Sequence, residues 1–587
     1  MVQFLKYVLA TIIGIFLFTL ISFFLMIGIG AMLSGGDDKT EVKSNSVLQL
    51  NLNTQFTENG VKEDPFSNIF GNNETKTSIS ELKSAIANAK LDPNIKGISM
   101  KLEYPSAGFA ELEEIRNDLL DFKKSGKFIY SYAEIMTEKA VYLSSAATKS
   151  FINPAGGIEF NGLDAEVTFM KGLFDKIGVK PVIFRVGEFK SAIEPYIRTN
   201  MSPENKMQVS EYINSISNHI YGKMAESKGM TKAEIDEILN KALIQKPEDA
   251  VKYKILTDIG YEDEYDAALR KALGLKDDAK ITSVSLSSYG KAKKLVKEGS
   301  RDNRIAVIVA EGEINSGKGQ SETIGSETFV KELIKARKDK KIKAIVLRIN
   351  SPGGSAMASD IMWREIELTK KVKPVIASMG NVAASGGYYM AMGCDSIVAQ
   401  PTTITGSIGI FGMLINTQEL MNNKLGITFD GVKTHEFADS PSITREMSDA
   451  EKMMIQNSVN LGYEKFTSKA AAGRRMKIED LKAVAGGRVW TGEQAIKIGL
   501  VDKLGGIDEA IKVAANKAKL KAGDYQVKYY PFPKTEFEQI MEKFNKSGED
   551  AKLKEYLGIL APFAKEVKSL QKMEKLQAKM PYDLEIK

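Results

Sequence analysis

The chain has 587 residues, 43% hydrophobic and 27% charged, which is too long for one core and has the make-up of several folded domains, roughly three or four, rather than a disordered chain. Its 81 basic and 75 acidic side chains leave a net charge of +6, too weak over this length to argue for a nucleic-acid partner. One cysteine, Cys394, excludes an internal disulfide and a thiolate metal cluster, and with no zinc-type spacing or phosphate loop neither metal nor cofactor is expected.

In chain order, the first feature is an uncharged run from Tyr7 to Gly36. About 20 apolar residues span a bilayer, and this run is longer than the apolar part of a cleaved signal peptide and lacks a convincing cleavage site. Residues 1–45 therefore read as a cytoplasmic N-terminus, a retained transmembrane helix and a linker. Lys6 before the run and Asp37 and Asp38 after it place the N-terminus in the cytoplasm. The expected protein is single-pass in the inner (cytoplasmic) membrane, with its body on the extracytoplasmic side.

An internal duplication follows. Ile95–Leu102 matches Ile342–Ile349, Pro105 matches Pro352, Phe128–Ser131 matches Val375–Ser378, and Pro154 matches Pro401. Further on, Glu188-Phe189 pairs with Glu436-Phe437, Met201-Ser202 with Met447-Ser448, and Ile259-Gly260 with Leu504-Gly505. The spacing drifts by only a few residues, so two copies of one α/β domain are expected, at 46–295 and 303–530. Ile305–Val309 and Ala344–Ile349 read as buried parallel strands, and Glu327 to Asp339, Ala356 to Leu368 and Ala383 to Met392 as helices. Residues 531–587 read as a charged helical tail.

Three motifs of the second copy carry chemistry. The strand ending at Asn350 runs into Ser351-Pro352-Gly353-Gly354, a turn with unobstructed backbone amides before a helix, suited to an oxyanion. The next strand, Pro374–Met379, leads to Ala383-Ala384-Ser385-Gly386-Gly387, where small neighbours let a peptide approach the hydroxyl. Ser385 alone would read as a helix cap. Thr405-Gly406-Ser407 follows a further strand and alone would read as a turn.

Together and in this order, these motifs resemble the second domain of the signal peptide peptidase (protease IV) family, in its long two-domain form, and the resemblance covers nearly the whole chain. It implies a duplicated crotonase- and Clp-protease-like fold, with Ser385 as nucleophile, Gly353, Gly354 and Gly386 as the oxyanion hole and Ser407 positioning the base. Short family members carry a lysine base downstream of the serine. Here that position is Ala438, whereas the matching residue of the first copy is Lys190. Conversely, Glu138 stands where the first copy would need the serine, and Ser106-Ala107 stands where it would need the two glycines. The copies are complementary halves, so a Ser385–Lys190 dyad is expected where they meet. A lysine base must be neutral, and burial lowers its pKa by up to about 3–5 units.

His435 is the competing base, although a polar loop residue is its plainer reading; His219 reads as structural and Cys394 as a buried thiol. The implied function is a membrane-anchored serine endopeptidase acting on released signal peptides or other hydrophobic peptides. The implied assembly is a homo-oligomer, with a tetramer suggested by the resemblance. The alternatives are a crotonase-like acyl-CoA enzyme, which would need neither Ser385 nor Lys190, and a catalytically inactive membrane scaffold, which would have lost one of them.

Overall fold

The computed structural model describes residues 2–34, 41–59, 76–319, 323–531 and 576–580. A helix, Val2–Ser34, leads the chain. Among the residues whose side chains are described, no helix is long and apolar enough to cross a membrane, so the expected anchor is not shown.

The duplication appears as two sheets of matching order. In the first, strands Asp258–Ile259, Lys149–Ile158, Phe128–Met136, Ile95–Lys101, Ser46–Asn51 and Ser283–Ser285 lie side by side, all parallel. In the second, Lys503–Leu504, Ser396–Ala399, Val375–Ala384, Ile342–Ser351, Arg304–Glu311 and Gln526–Tyr530 take the corresponding places, again parallel. Strands buried on both faces carry continuous apolar runs, and Ala344–Leu347 is wholly buried accordingly. Even the long helices correspond. Pro203–Lys228 and Asp449–Arg474 each follow a Met-Ser pair whose serine accepts from the backbone N–H three residues on.

Two expectations are corrected. The strand after Pro374 does not give way to a helix at Ala383. It continues to Ala384, because Val382–Ala384 forms a parallel ladder with Ile404–Gly406, and the helix is only Gly386–Ala391. Most of the tail expected at 531–587 lies outside the described residues. Of its described residues, 531 and 576–580, the stretch Gln577–Lys579 forms a strand.

A third sheet stitches the copies together. Its order is Thr323–Gly325, Glu313–Asn315, Gly353–Ser355, Gln577–Lys579, Phe411–Asn416, Lys180–Arg185. The last pairing is antiparallel, from Phe411 opposite Arg185 to Asn416 opposite Lys180, and joins the second copy to the first. Charge also crosses the boundary. Arg348 of the second copy is fully buried and donates to Glu58 Oε1 at 2.7 Å and Glu114 Oε1 at 2.8 Å of the first. Asn350 donates to Glu111 at 3.0 Å nearby.

Candidate active site

The strand Val375–Ala384 delivers Ser385 to the point where the copies meet. Ser385 has φ 53° and ψ −110°, a region that non-glycine residues occupy at a cost of about 1–3 kcal/mol. Two backbone bonds hold it there: Ser385 N–H donates to Gly406 O at 2.8 Å, and Tyr389 N–H donates to Ser385 O at 2.8 Å. The hydroxyl makes no capping bond to its own helix, so the helix-cap reading of this serine fails.

Lys190 arrives from the other copy, five residues after the strand that pairs with Phe411–Asn416. Phe189 N–H donates to Gly486 O at 3.2 Å. The lysine side chain then passes Gly409, whose added Cβ would lie 3.2 Å from Lys190 Cδ. Its Nζ donates to Ser385 Oγ at 2.8 Å, to Ser407 Oγ at 3.0 Å and to Ser407 O at 3.1 Å. Lys190, Ser385 and Ser407 are each 0% exposed. Burial holds the Lys190 amine well below its ordinary value of 10.5, with no charged neighbour contributing. An amine in this state can accept the serine proton, while Ser407 fixes its orientation from two sides.

Gly353 lies beside Gly386: a Cβ on Gly353 would come within 2.7 Å of the Gly386 nitrogen. At φ +99° the position favours glycine as well. The Gly353 N–H donates to Ser351 Oγ at 3.2 Å. Gly354 faces the other way, opposite Ile314 in the third sheet. The structure thus brings Ser385, Lys190, Ser407, Gly353 and Gly386 into one cluster, with Gly354 in the layer behind.

The remaining candidates lie apart from this cluster. Glu138, at the first copy's serine position, is buried and accepts from Tyr221 Oη at 2.5 Å and Asn161 N at 3.1 Å; burial pushes its carboxyl up to about 7. Ala438 and His435 lie in an exposed loop, where the His435 ring bonds Thr434 Oγ1. His219 pairs with Glu113 at 2.7 Å and Cys394 is buried, both as structural residues.

Comparison with known proteins decides the family. The model of peptidase family S49 matches twice, at residues 121–276 and 367–521, and the Clp protease model matches residues 297–420. Protease 4 of Haemophilus influenzae is 32% identical over 94% of this chain and 92% of its own length. The chain belongs to peptidase family S49. It is a serine protease, similar also to the chloroplastic serine protease SPPA of Arabidopsis thaliana (36% identical, over 82% of this chain and 70% of that one) and to Protease 4 of Salmonella typhi (34%, over 80% and 77%).

Other residues of this S49 protease support the lysine without having stood out in the sequence. Gly487, at φ +84°, lets the second copy's backbone press on Lys190: an added Cβ would sit 2.6 Å from Lys190 N and 2.7 Å from its Cα. Gln208 ties the lysine loop to the same segment. It donates to Phe189 O at 3.2 Å and Ser191 Oγ at 2.9 Å, and accepts from Val489 N–H at 3.2 Å. The adjacent glycines Gly486-Gly487 were a signal of close backbone approach. Gln208 gave none, being one polar residue on a long helix.

Proposed function

We propose that the chain is a membrane-anchored endopeptidase working through a Ser385–Lys190 dyad. The observation that carries this reading is a buried lysine amine 2.8 Å from a strained serine hydroxyl contributed by the other copy. In this mechanism the neutral Lys190 amine takes the Ser385 proton as Oγ attacks the peptide carbonyl. The amide of Gly386, beside Gly353, receives the developing oxyanion, and Ser407 holds the amine in line. Lys190 then returns the proton to the leaving amine. Water, with the same lysine as base, releases the acyl group.

The substrates are signal peptides freed from their precursors, or other hydrophobic peptides. The charge-free run Tyr7–Gly36 and the exposed apolar side chains of the first helix, Phe4, Tyr7, Phe16 and Phe18 among them, favour an anchor that holds the site near such peptides. On this reading the catalytic body, copies 46–295 and 303–530, lies on the extracytoplasmic side as part of a homo-oligomer. A fluorophosphonate probe tests the dyad: it labels Ser385 in the intact chain and fails to label Lys190→Ala at comparable rate. Labelling of equal speed in the two proteins would remove Lys190 from the mechanism.

A further inference from the structure

The strand Val375–Ala384, which ends at Ser385, has a corner in it. It pairs in step with Ile342–Ser351 as far as Met379 opposite Ile349, and the pairing resumes at Ala383 opposite Ser351. Gly380, Asn381 and Val382 therefore stand against the single residue Asn350. The neighbour on the other side changes at the same point. Before the corner Ile376–Ser378 pairs with Ser396–Val398, and after it Val382–Ala384 pairs with Ile404–Gly406. A bulge of this kind bends a strand and re-aims the residues that follow it.

The corner is gripped by the first copy. The helix Phe109–Lys123 begins at Gly108, which has no side chain to cap it, and the cap comes from Asn381, whose Oδ1 accepts the Glu111 N–H at 3.1 Å. The Asn381 amide lies hard against Gly108, where an added Cβ would come within 2.3 Å of Asn381 Cγ and Oδ1. The Glu111 carboxylate in turn accepts from Asn350 Nδ2 at 3.0 Å, and Asn350 Oδ1 accepts the Val382 N–H at 3.2 Å. Glu58 packs on the remaining bulge residue: a Cβ on Gly380 would lie 2.8 Å from its Oε1. Each of the three bulge residues is thus held by the first copy, directly or through Asn350.

We propose that Asn381 is a positioning residue for the hydrolysis: by capping a first-copy helix from within the bulge, it fixes the direction in which the strand delivers Ser385. The first copy then sets the serine as well as supplying the lysine. The proposal rests on Ser385 as the nucleophile. An asparagine oxygen on the third N–H of a helix is an ordinary cap. Here the cap belongs to the strand of the serine, four residues before it, so the bond that satisfies the helix also holds the aim of the hydroxyl. A misplacement of about 1 Å at a reacting group can cost about 100-fold in rate.

Three measurements on full-length variants test this: kinetics on fluorescently labelled casein, the rate of fluorophosphonate labelling at Ser385, and the urea midpoint. Asn381→Ala should lower kcat and the labelling rate about 10–100-fold, with KM within about twofold of the wild type. Combining Asn381→Ala with Gly108→Ser separates aim from helix stability. With the Asn381 amide gone, the new hydroxyl can cap the Glu111 N–H from within its own copy. The urea midpoint should then return towards the wild-type value while kcat stays low. Gly108→Ala drives a methyl group into the Asn381 amide at an ordinary φ of −78°. It should lower kcat in the same way, and it decides the matter if Asn381→Ala does not fold. Wild-type kcat in Asn381→Ala or in Gly108→Ala overturns the positioning role. So does recovery of kcat along with the midpoint in the double variant. A wild-type chain that hydrolyses casein but takes no fluorophosphonate at Ser385 overturns the nucleophile itself, and the positioning role with it.

Discussion

The role proposed for Lys190 rests on what surrounds it rather than on a charged partner. Burial alone lowers its affinity for a proton, and three oxygen contacts aim the amine at Ser385. Lys190→Ala and Lys190→Arg should each lower kcat/KM on a peptide by at least about a thousandfold, the arginine because a guanidinium stays protonated. Steady-state kinetics with circular dichroism as a folding check measures both. Ser407→Ala should cost less, about 10–100-fold, since one hydrogen bond to the amine is lost while that to the Ser407 carbonyl remains. The pH dependence follows from the direction of the shift. The folded pKa lies below 10.5 and the neutral amine is the active form, so activity rises with pH through the lowered value and levels off before pH 10.5. A rate still climbing at pH 10.5 would mean a solvated lysine. At this scale the candidate pair came from the family resemblance, which put the serine at Ser385 and the base position at Ala438, combined with the internal duplication, which aligned Ala438 with Lys190 and Ser385 with Glu138.

Among the elements, the repeated strands were readable because burial on both faces leaves continuous apolar runs. The extension of one strand to Ala384 was not, because Ala383-Ala384 has no intrinsic strand preference and is held by its ladder with Thr405-Gly406. Gln577–Lys579 is the same case, a short Gln-Ala-Lys stretch with no strand signal of its own, held by its pairing with Gly353–Ser355 and Phe411. The segment at Gly486-Gly487 matters as a support. Gly487→Ala would drive a methyl group into the Lys190 backbone at a positive φ, so we expect a large loss of kcat and a stability cost of about 1–3 kcal/mol. Gly222→Ala is the matching control. That glycine lies within the helix Pro203–Lys228 with nothing near its Cβ position, so activity should hold and stability rise by about 0.5–1 kcal/mol in urea unfolding.

For the whole molecule, the two copies are joined by the Lys180–Arg185 and Phe411–Asn416 ladder and by Arg348, and on the proposed dyad they form one catalytic unit. Arg348→Ala would leave the buried carboxyl groups of Glu58 and Glu114 without their cation and hydrogen-bond donor, and should destabilise the chain by about 3–5 kcal/mol in urea titration. Neither copy should be active when made alone, from about Val47 to Lys297 or from Arg301 onward. Mixing them should restore measurable peptide hydrolysis if the ladder reforms. Full activity of the second copy by itself would show that Lys190 is dispensable. Restoring the base through Ala438→Lys in a Lys190→Ala background should fail in this conformation, because residue 438 is exposed and an amine there keeps its proton.

On the proposed dyad, the burial of Lys190 also sets when the protease becomes able to cut. A ribosome makes the lysine 195 residues before the serine, counting along the chain, and makes the segment around Gly486-Gly487 later still. Until that segment closes over it, the lysine is a wet ammonium that cannot accept a proton, and the serine, once made, has no base. With Lys190 as the proposed base, an unfinished chain is thus chemically silent. On the proposed dyad, cutting power arrives only with completion of the fold.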